Sequence, residues 1–196
     1  MGKREMSTDA PRIVRTEGST ALFVTITVIA VIGLGSLAFG EFSLRGLAIA
    51  GLPVALFTWV WVLYRFPRVE LRYREIALVN PLKTITIPWN LVDGFDTRFG
   101  LRVITHTKSY SSWSLAGRGK RTEKDADGVR LLVGRPNPAV AEVVNHHARL
   151  SEEELSNPRG ERTSIEVWNL PIILALVIAI AWAGIGIMAL PPELHN

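Results

Sequence analysis

The side chains that could do chemistry in this chain are few and thinly spread. Histidine occurs at positions 106, 146, 147 and 195, and cysteine is absent, which removes any disulfide, thiolate nucleophile or cysteine-ligated metal. His146 and His147 are adjacent, so on a helix they point to different sides and do not make the i, i+4 pair that a helical zinc site needs. Ser111, Ser112 and Ser114 lack the Gly-x-Ser-x-Gly frame of an exposed nucleophile, and there is no glycine-rich phosphate loop. Asp93 and Asp96 flank an expected turn, where carboxylates serve backbone hydrogen bonding. The expectation is a non-enzyme with no metal and no cofactor. One cluster has binding chemistry: Arg118, Lys120, Arg121 and Lys124 suit contact with anionic lipid headgroups, although Glu123, Asp125 and Asp127 lie close by and offset them. The net charge of +4 and pI of about 9.8 also ask for an anionic neighbour. Nucleic acid is not expected in that role, because no helix-turn-helix, zinc-finger or aromatic RNA-binding signature accompanies the charge.

The elements that must carry these residues begin with three apolar stretches. Residues 20–40, 46–64 and 170–190, of 21, 19 and 21 residues, contain no Asp, Glu, Lys, Arg or His. Each is long enough to cross a hydrocarbon core of about 30 Å, which needs roughly 20 helical residues. The first follows a tail of mixed charge and is long for a secretory signal core, so it reads as a retained anchor despite the small residues Ser36-Leu37-Ala38. Lys3, Arg4, Arg12 and Arg15 precede it, Arg65, Arg68, Arg72 and Arg74 follow the second stretch, and Arg159 and Arg162 precede the third. By the positive-inside rule the N-terminus and the central segment are expected in the cytoplasm, with the C-terminus outside a multi-pass protein of the cell membrane. Trp59, Trp61, Tyr64 and Trp168 mark the same boundaries, whereas Trp182 falls in mid-span. Ala175, Ala179 and Ala183 form one stripe at helix-packing spacing, and Gly51 with Ala55 forms another.

Between the second and third stretches lies the segment that must hold any soluble function, residues 65–167. It contains 17 basic and 13 acidic residues, a net +4. Val69, Leu71 and Tyr73 alternate with charged neighbours, the period of a strand with one buried face. Residues 76–79 form a second strand, Asn80-Pro81 a turn, and Ile85, Ile87 and Trp89 a third inward-facing set. Strands over residues 101–105 and 108–113 are joined through His106-Thr107, a link short enough for a hairpin. Residues 116–128 read as a mobile loop and 129–133 as a further strand. Asn137-Pro138 then caps a helix running to about Leu150, with Val140, Val143, Val144 and His147 on one face. The expected organisation is a cytoplasmic tail (1–19), a transmembrane helical hairpin (20–64), a β domain closed by a C-terminal helix (65–150), a polar tether (151–167), a third transmembrane helix (168–190) and an external tail (191–196).

The stretch RFPRVELRYREIALVNPLKTITIPWNLVDGF resembles the bacterial pleckstrin-homology-like (PH) domains of actinobacterial membrane proteins, the group that includes low-molecular-weight protein antigens. Pro67, Val69, Asn80, Pro81, Ile87, Pro88, Trp89, Leu91 and Val92 carry the likeness, over residues 65–115. The family usually places glycine in the first turn, where this chain has Tyr73-Arg74-Glu75. Together with the three apolar stretches, the resemblance implies a fold of membrane α plus α+β type, three transmembrane helices with a small cytoplasmic PH-like sheet or barrel closed by a C-terminal helix, and recognition as the function. It does not carry phosphoinositide binding over to this chain, because Lys83 stands alone. Two roles are therefore expected: a membrane-anchored scaffold or accessory subunit that binds another membrane protein, or a sensor of anionic lipid surfaces using the basic run.

Overall fold

The computed structural model describes residues 11–16, 19–38, 43–116, 120–124, 130–134, 137–150 and 163–190. They fall into two compact units, one of residues 1–16 and 68–167 and the other of residues 17–67 and 168–196.

The first unit contains a five-stranded sheet in the order β1-β2-β3-β4-β10, a three-stranded sheet β5-β6-β7 and a two-stranded ribbon β8-β9. The strands are β1 Arg12–Val14, β2 Arg68–Leu71, β3 Glu75–Val79, β4 Lys83–Pro88, β5 Val92–Asp96, β6 Gly100–Thr105, β7 Ser109–Ala116, β8 Lys120–Lys124, β9 Arg130–Gly134 and β10 Ile165–Trp168. Helix α4, Pro138–Ala148, belongs to the same unit. Antiparallel register explains which residues are inside. Val14, Val69, Leu78 and Ile85 lie directly across from one another, as do Leu71, Ile76 and Ile87. These two rows make one continuous apolar face, since side chains two apart on a strand share a face. Leu101, Val103, Tyr110 and Leu115 of the second sheet and Val140 and Val143 of α4 complete the core. Asn137 caps α4 by accepting the Ala139 N–H at 3.1 Å, with Pro138 at the first turn.

Trp89 sits fully buried in a short 3₁₀ turn, Trp89–Leu91, at the end of β4. Its indole Nε1 donates to the Arg72 carbonyl at 2.9 Å and its backbone N–H donates to the Arg74 carbonyl at 3.1 Å. Both carbonyls belong to the turn between β2 and β3, the one that lacks glycine. No non-glycine residue there takes a positive φ, so the turn is held by Trp89 rather than by a left-handed residue.

The second unit is helical. Helix α1 is Ser19–Ala38, α2 Leu44–Ile49 and α3 Gly51–Val60, the last running into a π-helical turn, Trp61–Arg65. The final helix, here α5, is Leu170–Met188. These helices correct the expectation of three membrane-crossing spans. Two are long and apolar enough, Leu44–Arg65 with 22 residues and Leu170–Met188 with 19, while the apolar part of α1 is Thr20–Ser36. Those 17 residues rise about 26 Å, short of the roughly 30 Å a span requires. The expected single PH-like sheet or barrel is corrected as well, to separate antiparallel sheets.

Trp89→Ala should lower the unfolding free energy of the first unit by about 3 to 5 kcal/mol, the range for truncating a core aromatic. Denaturant titration followed by circular dichroism of the sheet checks this, and an unchanged midpoint would contradict the assigned core.

Candidate functional site

Where the sequence offered scattered chemistry, the first unit brings some of it together. His146 and His147 occupy the last turn of α4, and both rings lie beside Trp89, at centroid distances of 5.6 and 5.7 Å. This corrects the expectation that they point to different sides: the indole is broad enough to receive both. Phe95 meets His147 edge-on at 5.3 Å. The His147 Nε2 is buried without a hydrogen-bond partner among the described residues. Burial, followed by the neighbouring charge of His146, pushes the His147 pKa below its ordinary value of 6.5.

The other singled-out residues are dispersed. Asp93 lies within β5, whereas Asp96 ends β5 at the turn into β6, the place expected of it. Asp93 contacts His106 Nδ1, and Asp96 accepts from the Arg98 backbone N–H at 3.0 Å. Ser112 and Ser114 share a hydrogen bond of 3.1 Å, and Arg102 Nε donates to Ser111 Oγ at 3.3 Å. Among the described residues no group of three or more His, Cys, Asp or Glu is placed to hold a metal ion. Arg118 and His195 lie outside the described residues. Lys120, Arg121 and Lys124 fall on β8, paired with β9, so part of the expected loop is a ribbon.

The small-residue stripes lie inside the helical unit. Ala179 and Ala55 are buried, and Ala175 and Ala183 half-buried. Gly51 is where α3 meets α5, since a Cβ there would lie 2.5 Å from Trp182 Cδ1 and 2.6 Å from the Trp182 carbonyl oxygen. A Cβ on Gly186 would lie 2.6 Å from the Ala48 carbonyl oxygen. Trp182, the aromatic in mid-span, donates its indole N–H to the Leu47 carbonyl at 3.0 Å. Arg45 Nε likewise donates to the Ala189 carbonyl at 2.7 Å, near the end of α5. The stripes thus pack the chain's own helices.

Two ionic features had no counterpart in the sequence reading. Glu70, only 5% exposed, lies on the face of β2 opposite the core. It accepts from Arg68 Nε and from Arg72 Nη2, both at 2.7 Å, while Arg72 Nη1 reaches Glu75 at 2.7 Å. Burial raises the Glu70 pKa, but the bonds and charges of Arg72 and Arg68 outweigh it and hold the carboxyl below its usual range. On β10, Glu166 takes Lys83 Nζ and Lys108 Nζ, each at 3.2 Å, and these two lysines lower its pKa. The alternating Ile-Glu-Val-Trp of residues 165–168 was the available signal, hidden within a stretch that read as a tether.

The two edges of the five-stranded sheet differ. Strand β1 is blunted, since Val14 is buried, Arg12 pairs with Glu142 of α4 at 2.6 Å, and α4 packs beside it. Strand β10 ends the sheet order among the described residues, and its four residues are exposed, Ile165 at 44% and Val167 at 55%. No family model, curated protein or solved structure matches the chain.

A lowered His147 pKa has a definite sign. The neutral ring is favoured in the folded state, so its contribution to stability is present above pH 6.5 and is lost as pH falls through the folded-state value. Unfolding free energy should therefore decline below about pH 6.5, and His147→Leu should flatten that part of the profile. An identical slope in the variant would contradict the assignment.

Proposed function

We propose that the chain is a membrane-anchored interaction protein, acting by binding and not by catalysis, whose β unit recruits another membrane protein on the cytoplasmic side of the cell membrane. The membrane part of this reading is supported by how little of the apolar helices is covered. Only 17% of the most apolar stretch of Leu44–Arg65 and 11% of that of Leu170–Met188 is buried, whereas a core helix of a water-soluble protein would be mostly covered. The cytoplasmic side follows from the excess of arginine around residues 12–15 and 65–74. The likeness of residues 65–115 to bacterial PH-like domains favours recognition over catalysis.

The single observation that carries the interaction role is β10. A strand at the end of a sheet can be extended by a further strand, and exposed Ile165 and Val167 add apolar side chains there. Such an edge is completed by a strand of a partner, with main-chain bonds giving affinity and alternate side chains giving specificity. The nearby lysines are already engaged by Glu166, so the edge offers apolar contact with little net charge.

A second reading, the anionic-lipid sensor, is favoured by the ribbon. It places Lys120, Arg121, Lys124 and Arg130 on two paired strands, and clustered basic residues attract anionic headgroups.

The test is the native mass of the full-length chain after mild detergent extraction from its own membrane. The expected result is a complex heavier than the lone chain that falls to single-chain mass when Ile165 and Val167 are both changed to Lys. A wild-type chain already at single-chain mass, together with salt-sensitive binding to phosphatidylglycerol vesicles, would replace this reading with the sensor.

A further inference from the structure

The β unit exchanges chain with the helical unit at three points: after Thr16, before Arg68 and after Val167. Within the β unit all three lie at one end of the five-stranded sheet. Arg68 is paired with Val79, next to the turn that joins β3 to β4. The Thr16 hydroxyl donates to the Ser114 carbonyl at 2.8 Å. Glu166, one residue before the last exit, holds Lys83 at the start of β4. Asn80 in the β3–β4 turn ties the same end to β7: its Nδ2 donates to the Ser111 carbonyl at 3.0 Å, and its Oδ1 accepts the Trp113 N–H at 2.7 Å.

Two large apolar side chains project from this end, Leu82 at 49% and Trp113 at 54% exposure. In a water-soluble domain they would be unremarkable single exposures. Here the covalent chain decides what they meet, because every exit from this end leads into an apolar helix. We infer that the rim formed by Leu82 and Trp113 is a lipid contact, seated in the headgroup layer of the bilayer that holds the helices. A tryptophan is suited to that depth, with its apolar ring in the acyl boundary and its N–H toward water. The lysines at this rim, Lys83 and Lys108, share the one carboxylate of Glu166, which leaves a single net positive charge there. The contact is therefore assigned to the apolar side chains of Leu82 and Trp113, distinct from an anion-binding site. The opposite end of the sheet provides an internal control: Tyr73, 59% exposed, lies in the turn between β2 and β3, away from all three exits.

This inference rests on the membrane reading above, and one experiment separates the two. The full-length chain has no cysteine, so Leu82→Cys, Trp113→Cys, Tyr73→Cys and Ile178→Cys can each carry one environment-sensitive fluorophore. The proteins are reconstituted in vesicles of phosphatidylcholine and phosphatidylglycerol containing lipids with a quencher at the headgroup or deep in the acyl chain. The expected result is a blue shift and headgroup-level quenching at 82 and 113, deep quenching at 178, and neither shift nor quenching at 73. Quenching at 178 without quenching at 82 and 113, or equal quenching at 73, would overturn the rim contact and leave the membrane reading standing. No quenching at 178 would overturn both.

Discussion

The five-stranded sheet is assembled from three separate pieces of chain. Its middle strands β2, β3 and β4 are a contiguous meander, but one edge, β1, comes from before α1 and the other, β10, from immediately before α5. The rest of the β unit depends on that closure. Val14 of β1 extends the row Val69, Leu78 and Ile85, and Arg12 of the same strand holds Glu142 of α4. At the other edge, Glu166 gathers Lys83 and Lys108 from two different sheets. Strands β1 and β2, which flank the chain of α1 to α3, pair directly with each other.

Much of the meander was legible because its signals are local. Alternation in β4, Asn80-Pro81 between strands, the two-residue link at His106-Thr107 and the Asn137-Pro138 cap depend on neighbours in sequence, and each appears where the spacing placed it. In β2 the alternation holds for Val69 and Leu71, while Tyr73 lies beyond the strand in the turn, 59% exposed. Trp89 followed from the inward set of Ile85 and Ile87, although its two bonds to the β2–β3 turn did not. Strands β1 and β10 were not legible. Three or four residues in a polar tail carry too little period to register, and what makes them strands is pairing across more than 50 residues. The ribbon of β8 was missed for a related reason: Lys120 to Lys124 has no apolar alternation, and its pairing is set by β9.

The helical unit shows how composition can mislead about length. An uncharged stretch was visible at residues 20–40, but only 17 residues form apolar helix within the described chain. Composition reports which residues lipid would tolerate, whereas a crossing also requires about 30 Å of helix. The small-residue stripes were visible as well, and their ambiguity resolves in favour of internal packing, because Gly51 and Gly186 bring backbone against backbone. With those stripes occupied by the chain's own helices, the exposed apolar residues of the β unit are those of β10 and of the end that carries Leu82 and Trp113. The charged groups of the β unit act mostly as structure: Arg68 and Arg72 serve Glu70, and Lys83 and Lys108 serve Glu166.

The segment before the first apolar helix is an integral strand of the β unit. A disulfide measures it directly. Val14 and Val69 are direct cross-strand partners, and such pairs lie about 4.5 to 5.5 Å apart at Cα, within disulfide reach. Leu78 is one strand further on, at roughly 9 to 10 Å from Val14, beyond it. In the full-length chain, mild oxidation of Val14→Cys/Val69→Cys should give an intramolecular cross-link in high yield, and Val14→Cys/Leu78→Cys should give none. Equal yields from the two pairs, or none from the first, would contradict the closed sheet.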